Sequence, residues 1–235
     1  MKPIHKKLYK YLDTIRDFYE ERGLKLTATA GTLLGAIRDK GIIEWDDDID
    51  LQITERDAKK FLEITEEFEK KVGWNCYWHE PINGYKFLDK KGNEIPVDIF
   101  VLRPTIKKIS LFKKIKINLI LIKIIKMSSV KCFRNKKHKI ITRIAKPIAH
   151  MLIWGKKTYS DVEKLMRDEY SELYAELSSP IVRGKTLIDL KDTKEVIEVP
   201  FGETKMYVYK NFEKKLEREY GDWRTPKVWA DHGNE

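Results

Sequence analysis

Gly31-Thr32-Leu33-Leu34-Gly35-Ala36-Ile37-Arg38 is followed two residues later by Gly41-Ile42-Ile43-Glu44-Trp45-Asp46-Asp47-Asp48-Ile49-Asp50. The second stretch puts four carboxylates into five residues. From Asp48 to Ile53 the chain alternates polar and apolar with period two, which predicts a strand. Successive strand side chains point to opposite faces, so Asp48 and Asp50 share one face. Carboxylates this close repel and raise one another's pKa unless a cation sits between them. Ligands that are all oxygen suit Mg²⁺ or Mn²⁺ better than zinc. The plainer alternative is a solvated acidic loop ahead of a strand. Trp45, Ile49 and Leu51, interleaved with the acids, tie them to a core and favour a site. A calcium loop of the EF-hand type would place Asp46, Asp48, Asp50 and Asp57 at its ligand positions. It requires glycine where this chain has Leu51, and its flanks should be helical, so that reading is rejected.

Working outward, Leu24 to Thr29 is rich in β-formers and predicts a strand. Gly31 to Arg38 predicts a short helix that starts at a glycine. Backbone N–H groups at such a junction make an anion site, with a bare turn as the alternative. Upstream, Ile4, Leu8, Tyr11, Leu12, Ile15, Phe18 and Tyr19 have helical spacing, stopped at Gly23. Downstream, Thr54 and Asp57 resemble a capping box for a helix from Glu55 to about Lys71. Trp74–His79, Tyr85–Asp89 and Glu94–Val101 predict strands, the last two joined by a turn at Gly92-Asn93. Asp98 falls inside the apolar run Val97-Asp98-Ile99-Phe100. A carboxylate there is costly to bury without a cation or a partner such as a lysine. Further on, Ser160 with Glu163 predicts a helix to about Leu177, short strands follow Pro180, and a last helix spans about Val208 to Tyr220, ended by Gly221. The expected class is α+β: a small mixed sheet flanked by helices, with an inserted basic helical segment.

The 235 residues are 42% hydrophobic and 36% charged, enough apolar content for a core. Residues 101–160 hold 17 Lys+Arg and no Asp or Glu; removing these from the chain's 47 leaves 30 basic against 37 acidic residues elsewhere. A mildly acidic body therefore carries a strongly basic segment. The division expected is a catalytic core over 1–102, a basic insertion over 103–160, and a part over 161–235 that completes the catalytic domain. Cys76 and Cys132 show no pairing pattern, which fits a reducing compartment. No stretch approaches the roughly 20 apolar residues of a membrane span, and the first ten residues lack a signal-peptide pattern. The expected location is cytoplasmic, with peripheral contact on the inner face of the cell membrane. That contact is expected of Leu111 to Met127, read as an amphipathic helix with Lys113, Lys116, Lys123 and Lys126 opposite Leu111, Ile115, Leu119, Ile122 and Ile125. A helical lid and a track for a polyanion are the alternatives; nucleic acid is the less favoured partner.

A strand–Gly-Thr–helix, then Asp-x-Asp on the next strand, then a lone Asp on a later strand resembles the nucleotidyltransferase superfamily. More narrowly, the two quoted stretches resemble the LicD/fukutin family of phosphotransferases. The ending Leu216–Tyr220, Gly221-Asp222-Trp223, Pro226 and His232 is similar to that family's C-terminus. Glu44 departs from the proline common before the tryptophan, which bears on the turn and leaves the carboxylates in place. The resemblance implies transfer of phosphocholine, or a similar phospho-alcohol, from a CDP-linked donor such as CDP-choline to a glycan hydroxyl, releasing CMP. It implies that Asp48 and Asp50 hold Mg²⁺ (or Mn²⁺), with Asp98 completing the metal site or accepting the hydroxyl proton. Gly31, Thr32, Arg38, Asp46 and Asp47 are implied on the substrate-binding side, with an ion pair from Arg38 to Asp46 or Asp47 as the structural alternative. Trp45, Trp74, Tyr77, Trp78 and Trp223 are available for a choline cage, with a place in the core as the more common role of a tryptophan. The competing functions are a nucleotidyltransferase that moves NMP from an NTP, and a non-catalytic membrane or nucleic-acid module.

Overall fold

The computed structural model describes residues 2–125 and 136–225, and the side chains of all of these except 136–142. Lys126, Met127, Cys132, Pro226 and His232, named above, lie outside the described residues. The first helix, α1 (Pro3–Glu20), starts on a proline, whose missing N–H costs nothing at that position. It buries Leu8, Leu12, Ile15 and Tyr19 along one stripe. A short β1 (Thr27–Ala28) leads into α2 (Ala30–Leu34), which continues as a wide π-helical turn over Gly35–Asp39. Gly35 is required there: a Cβ would sit 2.4 Å from the carbonyl oxygen of Gly41, a backbone atom with no room to move.

β2 (Ile49–Thr54) is the alternating strand expected from the sequence, and α3 (Glu55–Val72) follows it directly. The expected capping box differs in detail. The Thr54 hydroxyl donates to the Asp57 carboxylate at 2.7 Å instead of accepting a backbone N–H. Next come β3 (Asn75–His79), β4 (Gly84–Leu88) and β5 (Glu94–Pro104). Late in the chain, β8 (Val196–Phe201) and β9 (Thr204–Tyr209) form a hairpin that precedes α8 (Phe212–Tyr220). The mixed sheet runs β3-β4-β5-β2-β1-β9-β8. β2 pairs with β5 in parallel, so Asp50 stands beside Asp98 and Ile49 beside Val97. Side chains in register point to the same face, which splits the two strands cleanly. Ile49, Leu51 and Ile53 join Val97, Ile99 and Val101 in the core with Phe61 and Phe68 of α3. Asp50 and Asp98 face the other way.

The basic region forms α4 (Leu111–Ile124) and α5 (Lys136–Leu152), as the sequence suggested. The expected division of α4 into faces is corrected. Ile117 and Ile120 turn inward onto Val162 and Met166, and Lys123 donates to the Ile153 carbonyl instead of facing solvent. The helix expected from Ser160 to Leu177 is α6 (Tyr159–Met166), capped by Thr158 and Asp161. It stops early because Leu173–Ala175 forms β6, which pairs with the end of β5 through Arg103 and Pro104. An unexpected α7 (Pro180–Thr186), started by the Ser179 hydroxyl, follows it and precedes β7 (Ile188–Asp189). Arg167 fastens this part to the body, with Glu55 of α3 at 2.8 Å and Glu163 at 3.0 Å. The last helix also starts later than expected, because Val208 and Tyr209 are taken up by β9.

Candidate functional site

A cleft of about 350 Å³ opens where α2, the loop before β2, α7 and α8 meet. Gly31, Arg38, Trp45, Asp46, Asp48, Asp50, Lys185 and Tyr220 are among its lining residues. The floor follows from the strand pattern: Asp50 is carried on β2, and Asp48 lies one alternation ahead of it. The loop bearing Asp46 and Asp47 is held from three sides. Asp46 donates its N–H to the Ile43 carbonyl at 2.9 Å, the His5 ring of α1 bonds the Asp46 carbonyl at 3.0 Å, and Ile42 donates its N–H to the Tyr9 hydroxyl at 3.2 Å. Carboxylate oxygens of Asp46, Asp47 and Asp48 lie within 4.8 Å of one another.

The electrostatics of this floor are dominated by burial and by repulsion among like charges. Burial first, then repulsion by Asp48 and Asp47, pushes Asp46 up to about 7. Asp48 is raised by burial and by Asp47 and Asp98. Asp50 is raised well above the ordinary carboxylate range by burial, then by Asp48, Asp98, Asp46 and Glu176. Asp98 is raised by burial against the pull of Lys86, which lies 2.9 Å away. A set made only of carboxylates, crowded and half-buried, fits a hard divalent cation such as Mg²⁺ or Mn²⁺. Cys76 offers no competing chemistry, since burial pushes its thiol up to about 12.

Each expected residue can now be placed. Gly31 lies under the Asp46 carboxylate: a Cβ there would come within 2.6 Å of Oδ2, so only glycine lets the acid settle. Thr32 is buried, and its hydroxyl accepts the Asp50 N–H at 2.8 Å. It positions Asp50 and does not line the cleft. Arg38 does line the cleft, but its ion pair is with neither Asp46 nor Asp47. The guanidinium forks onto Asp39, with Nε donating at 2.8 Å and Nη2 at 2.7 Å. Asp46 and Asp47 gather with Asp48 more closely than their expected substrate-binding role implied. Asp98 stands behind Asp50, tied to Lys86 in the way the plainer reading of that residue anticipated.

The aromatics do not assemble into a cage, and most of them serve the core. Trp45 alone of the five candidates lines the cleft. Trp74 packs on Tyr11 and Phe68, Trp78 on Tyr85, and Trp223 is buried in the main core. The second aromatic of the cleft is Tyr220, whose hydroxyl is raised by burial and by Glu219, Asp50 and Asp46.

Three lining residues escaped the sequence reading: Lys185, Glu219 and Tyr220. Lys185 sits on the unforeseen α7, and no local pattern marks it. Glu219 and Tyr220 lie in the C-terminal stretch quoted above, which gave them no role. Behind them, Lys215 is buried 3.9 Å from Glu219, and burial pushes nearby Glu176 up to about 7.

Residues 23–119 match the family model of the LicD/FKTN/FKRP nucleotidyltransferase domain. That span takes in Gly31, the carboxylates Asp46 to Asp50, and Asp98. Similar curated proteins include an uncharacterized protein of Rickettsia typhi (strain ATCC VR-144 / Wilmington), 36% identical over 67 residues, and an uncharacterized protein of Rickettsia prowazekii (strain Madrid E), 35% identical over 76 residues. The matched stretches cover 28% and 32% of this chain, and only 21% and 28% of those two proteins.

Proposed function

Over residues 23–119 the chain carries a nucleotidyltransferase domain of the LicD/FKTN/FKRP family, and from that premise we propose that it transfers a phospho-alcohol, phosphocholine or one similar, from a CDP-linked donor to a glycan hydroxyl. CMP leaves as the second product. The observation that carries this reading is a cleft with crowded carboxylates on its floor and two cationic side chains, Arg38 and Lys185, on its wall. Carboxylates alone would repel a diphosphate, and cations alone would bind one without activating it. The two together suit a diphosphate whose charge a divalent cation held by the carboxylates would offset.

Asp48 and Asp50, with Asp46 and Asp47 beside them and Asp98 completing the set from β5, are the residues that would hold Mg²⁺ or Mn²⁺. The ion, when bound, offsets the charge of the diphosphate and of the departing CMP. Lys185 and the outer N–H groups of Arg38 orient the donor phosphates. Trp45 and Tyr220 wall the cleft with apolar surface for the base or the alcohol. The proton of the sugar hydroxyl passes to Asp46, Asp48, Asp50 or Asp98, each of which burial has made a stronger proton acceptor than an exposed aspartate. Thr32, holding the Asp50 N–H, and His5, holding the Asp46 carbonyl, keep the acids in place.

The product nucleotide tests the reading. Incubation with a panel of CDP-alcohols, Mg²⁺ and candidate glycan acceptors should release CMP in step with acceptor consumption. Pyrophosphate released from CTP or another NTP, with no CMP from any CDP-alcohol, overturns it in favour of nucleotidyl transfer. The fit to a metal site would survive that result.

A further inference from the structure

We propose that α4 and α5 seat the protein on an anionic lipid surface. Among the described residues, eight of the fourteen large hydrophobic side chains left exposed lie between Leu111 and Trp154. On α4, Ile117 and Ile120 are used against the second core, and Leu111, Phe112 and Ile115 occupy the opposite side of the same helix. On α5, Ile144, Ile148, Met151 and Leu152 follow the spacing i, i+4, i+7, i+8, the pattern of a helix face that belongs against something apolar. Here that stripe points outward, while Ala149 and Ile153 supply the buried contacts. Trp154, 93% exposed, and Phe112, 85% exposed, are the barest of these eight.

Charge complementarity selects the occupant. Residues 101–160 contain no acidic side chain and 17 basic ones. Lys114 and Lys116 flank the apolar residues of α4, and both, like Lys113 near the start of the helix, are exposed and make no ion pair among the described residues. A second copy of this face would bring like charge against like charge. Nucleic acid would use the lysines but leave the aliphatic stripe without a partner. An anionic lipid surface uses both: apolar side chains enter the acyl boundary, tryptophan favours the headgroup level, and lysines reach the phosphates. Among the described residues no helix is long and apolar enough to cross a membrane, so the contact is a surface one.

Flotation of the full chain with vesicles decides the matter, comparing phosphatidylcholine alone with phosphatidylcholine plus phosphatidylglycerol. Binding should rise with the anionic fraction and weaken as salt is added. Phe112→Ser with Trp154→Ser should abolish flotation without changing the melting temperature, because neither side chain is packed. Lys113→Glu, Lys114→Glu and Lys116→Glu together should lower partitioning by roughly 100-fold. Asp48→Asn should float like the wild type, so failure here and failure of the catalytic reading are separate results. Equal binding to both vesicle types, binding to neither, or unchanged flotation of the serine double variant overturns the proposal. A concentration-dependent dimer or RNA binding that persists without any vesicle binding overturns it as well.

Discussion

Asp46→Asn should stabilise the protein in the absence of metal while removing part of what the site is for. The Asp46 carboxyl is pushed from the ordinary 3.8 to about 7 in the folded state. Its folded pKa therefore lies above its unfolded one, and the folded protein binds the proton more tightly. Stability is fully present below about pH 4, falls as pH rises to about 7, and stays reduced above that. At about 1.4 kcal/mol per unit, holding Asp46 ionised at pH 8 costs about 4 kcal/mol. Asparagine removes that cost but must bury an amide of its own, which leaves a gain of about 2 to 4 kcal/mol at pH 8. For a chain of this size the gain raises Tm by roughly 5 to 12 °C. At pH 4 the wild type is already protonated, so the gain should be gone and the variant should melt level with the wild type or below it by the cost of the buried amide. Saturating Mg²⁺ should close the gap at pH 8, because at 100 times Kd a ligand stabilises the wild type by about 2.7 kcal/mol. Melting curves across pH 4 to 9, in chelator and then in Mg²⁺, make the measurement. If wild type and variant melt together in chelator at pH 8, or differ equally at pH 4, charge repulsion is not what the cleft stores.

Other outcomes follow from the same geometry. Asp48→Asn and Asp50→Asn should each cut turnover by on the order of 100-fold or more with the fold intact by circular dichroism; near wild-type turnover in either would remove that residue from the metal set. Thr32→Val deprives the Asp50 N–H of its acceptor and should cost about 1 to 2 kcal/mol in urea unfolding while lowering turnover. Lys185→Ala should raise KM for the donor and leave Tm unchanged, since the side chain is exposed; an unchanged KM would return it to the solvated surface. Gly31→Ala drives a methyl into the Asp46 carboxylate and should weaken Mg²⁺ binding in a calorimetric titration.

What could be read in advance, and what could not, divides along local and long-range lines. Asp48 and Asp50 were legible because strand alternation is a property of neighbouring residues, and their shared face follows from it. Asp98 was legible as an oddity, a charge in an apolar strand, but its place beside Asp50 depends on the parallel register of β2 and β5. Lys185, Glu219 and Tyr220 reach the cleft only because α8 packs on α2 and α7 packs on α8, and nothing within a few residues of them signals it. The helix expected through Leu177 failed for a related reason. Leu173–Ala175 has helical neighbours in sequence, yet pairing with the end of β5 outweighs local propensity. On α4, alternating lysines and isoleucines suggested two clean faces, but the face that packs was fixed by Val162 and Met166, which are distant in sequence. Arg38 pairs with Asp39, the acid next to it, and not with Asp46 or Asp47, the partners of its structural alternative.

The central claim is that the carboxylate floor works only with a divalent cation and a CDP-linked donor. Its most direct test is a single assay of CMP release, run on metal-stripped protein with a panel of CDP-alcohols and glycan acceptors, before and after Mg²⁺ or Mn²⁺ is restored. The account predicts no turnover in excess chelator, recovery on adding the ion, and no recovery in Asp48→Asn. Full turnover in chelator, with metal verified absent, would contradict it.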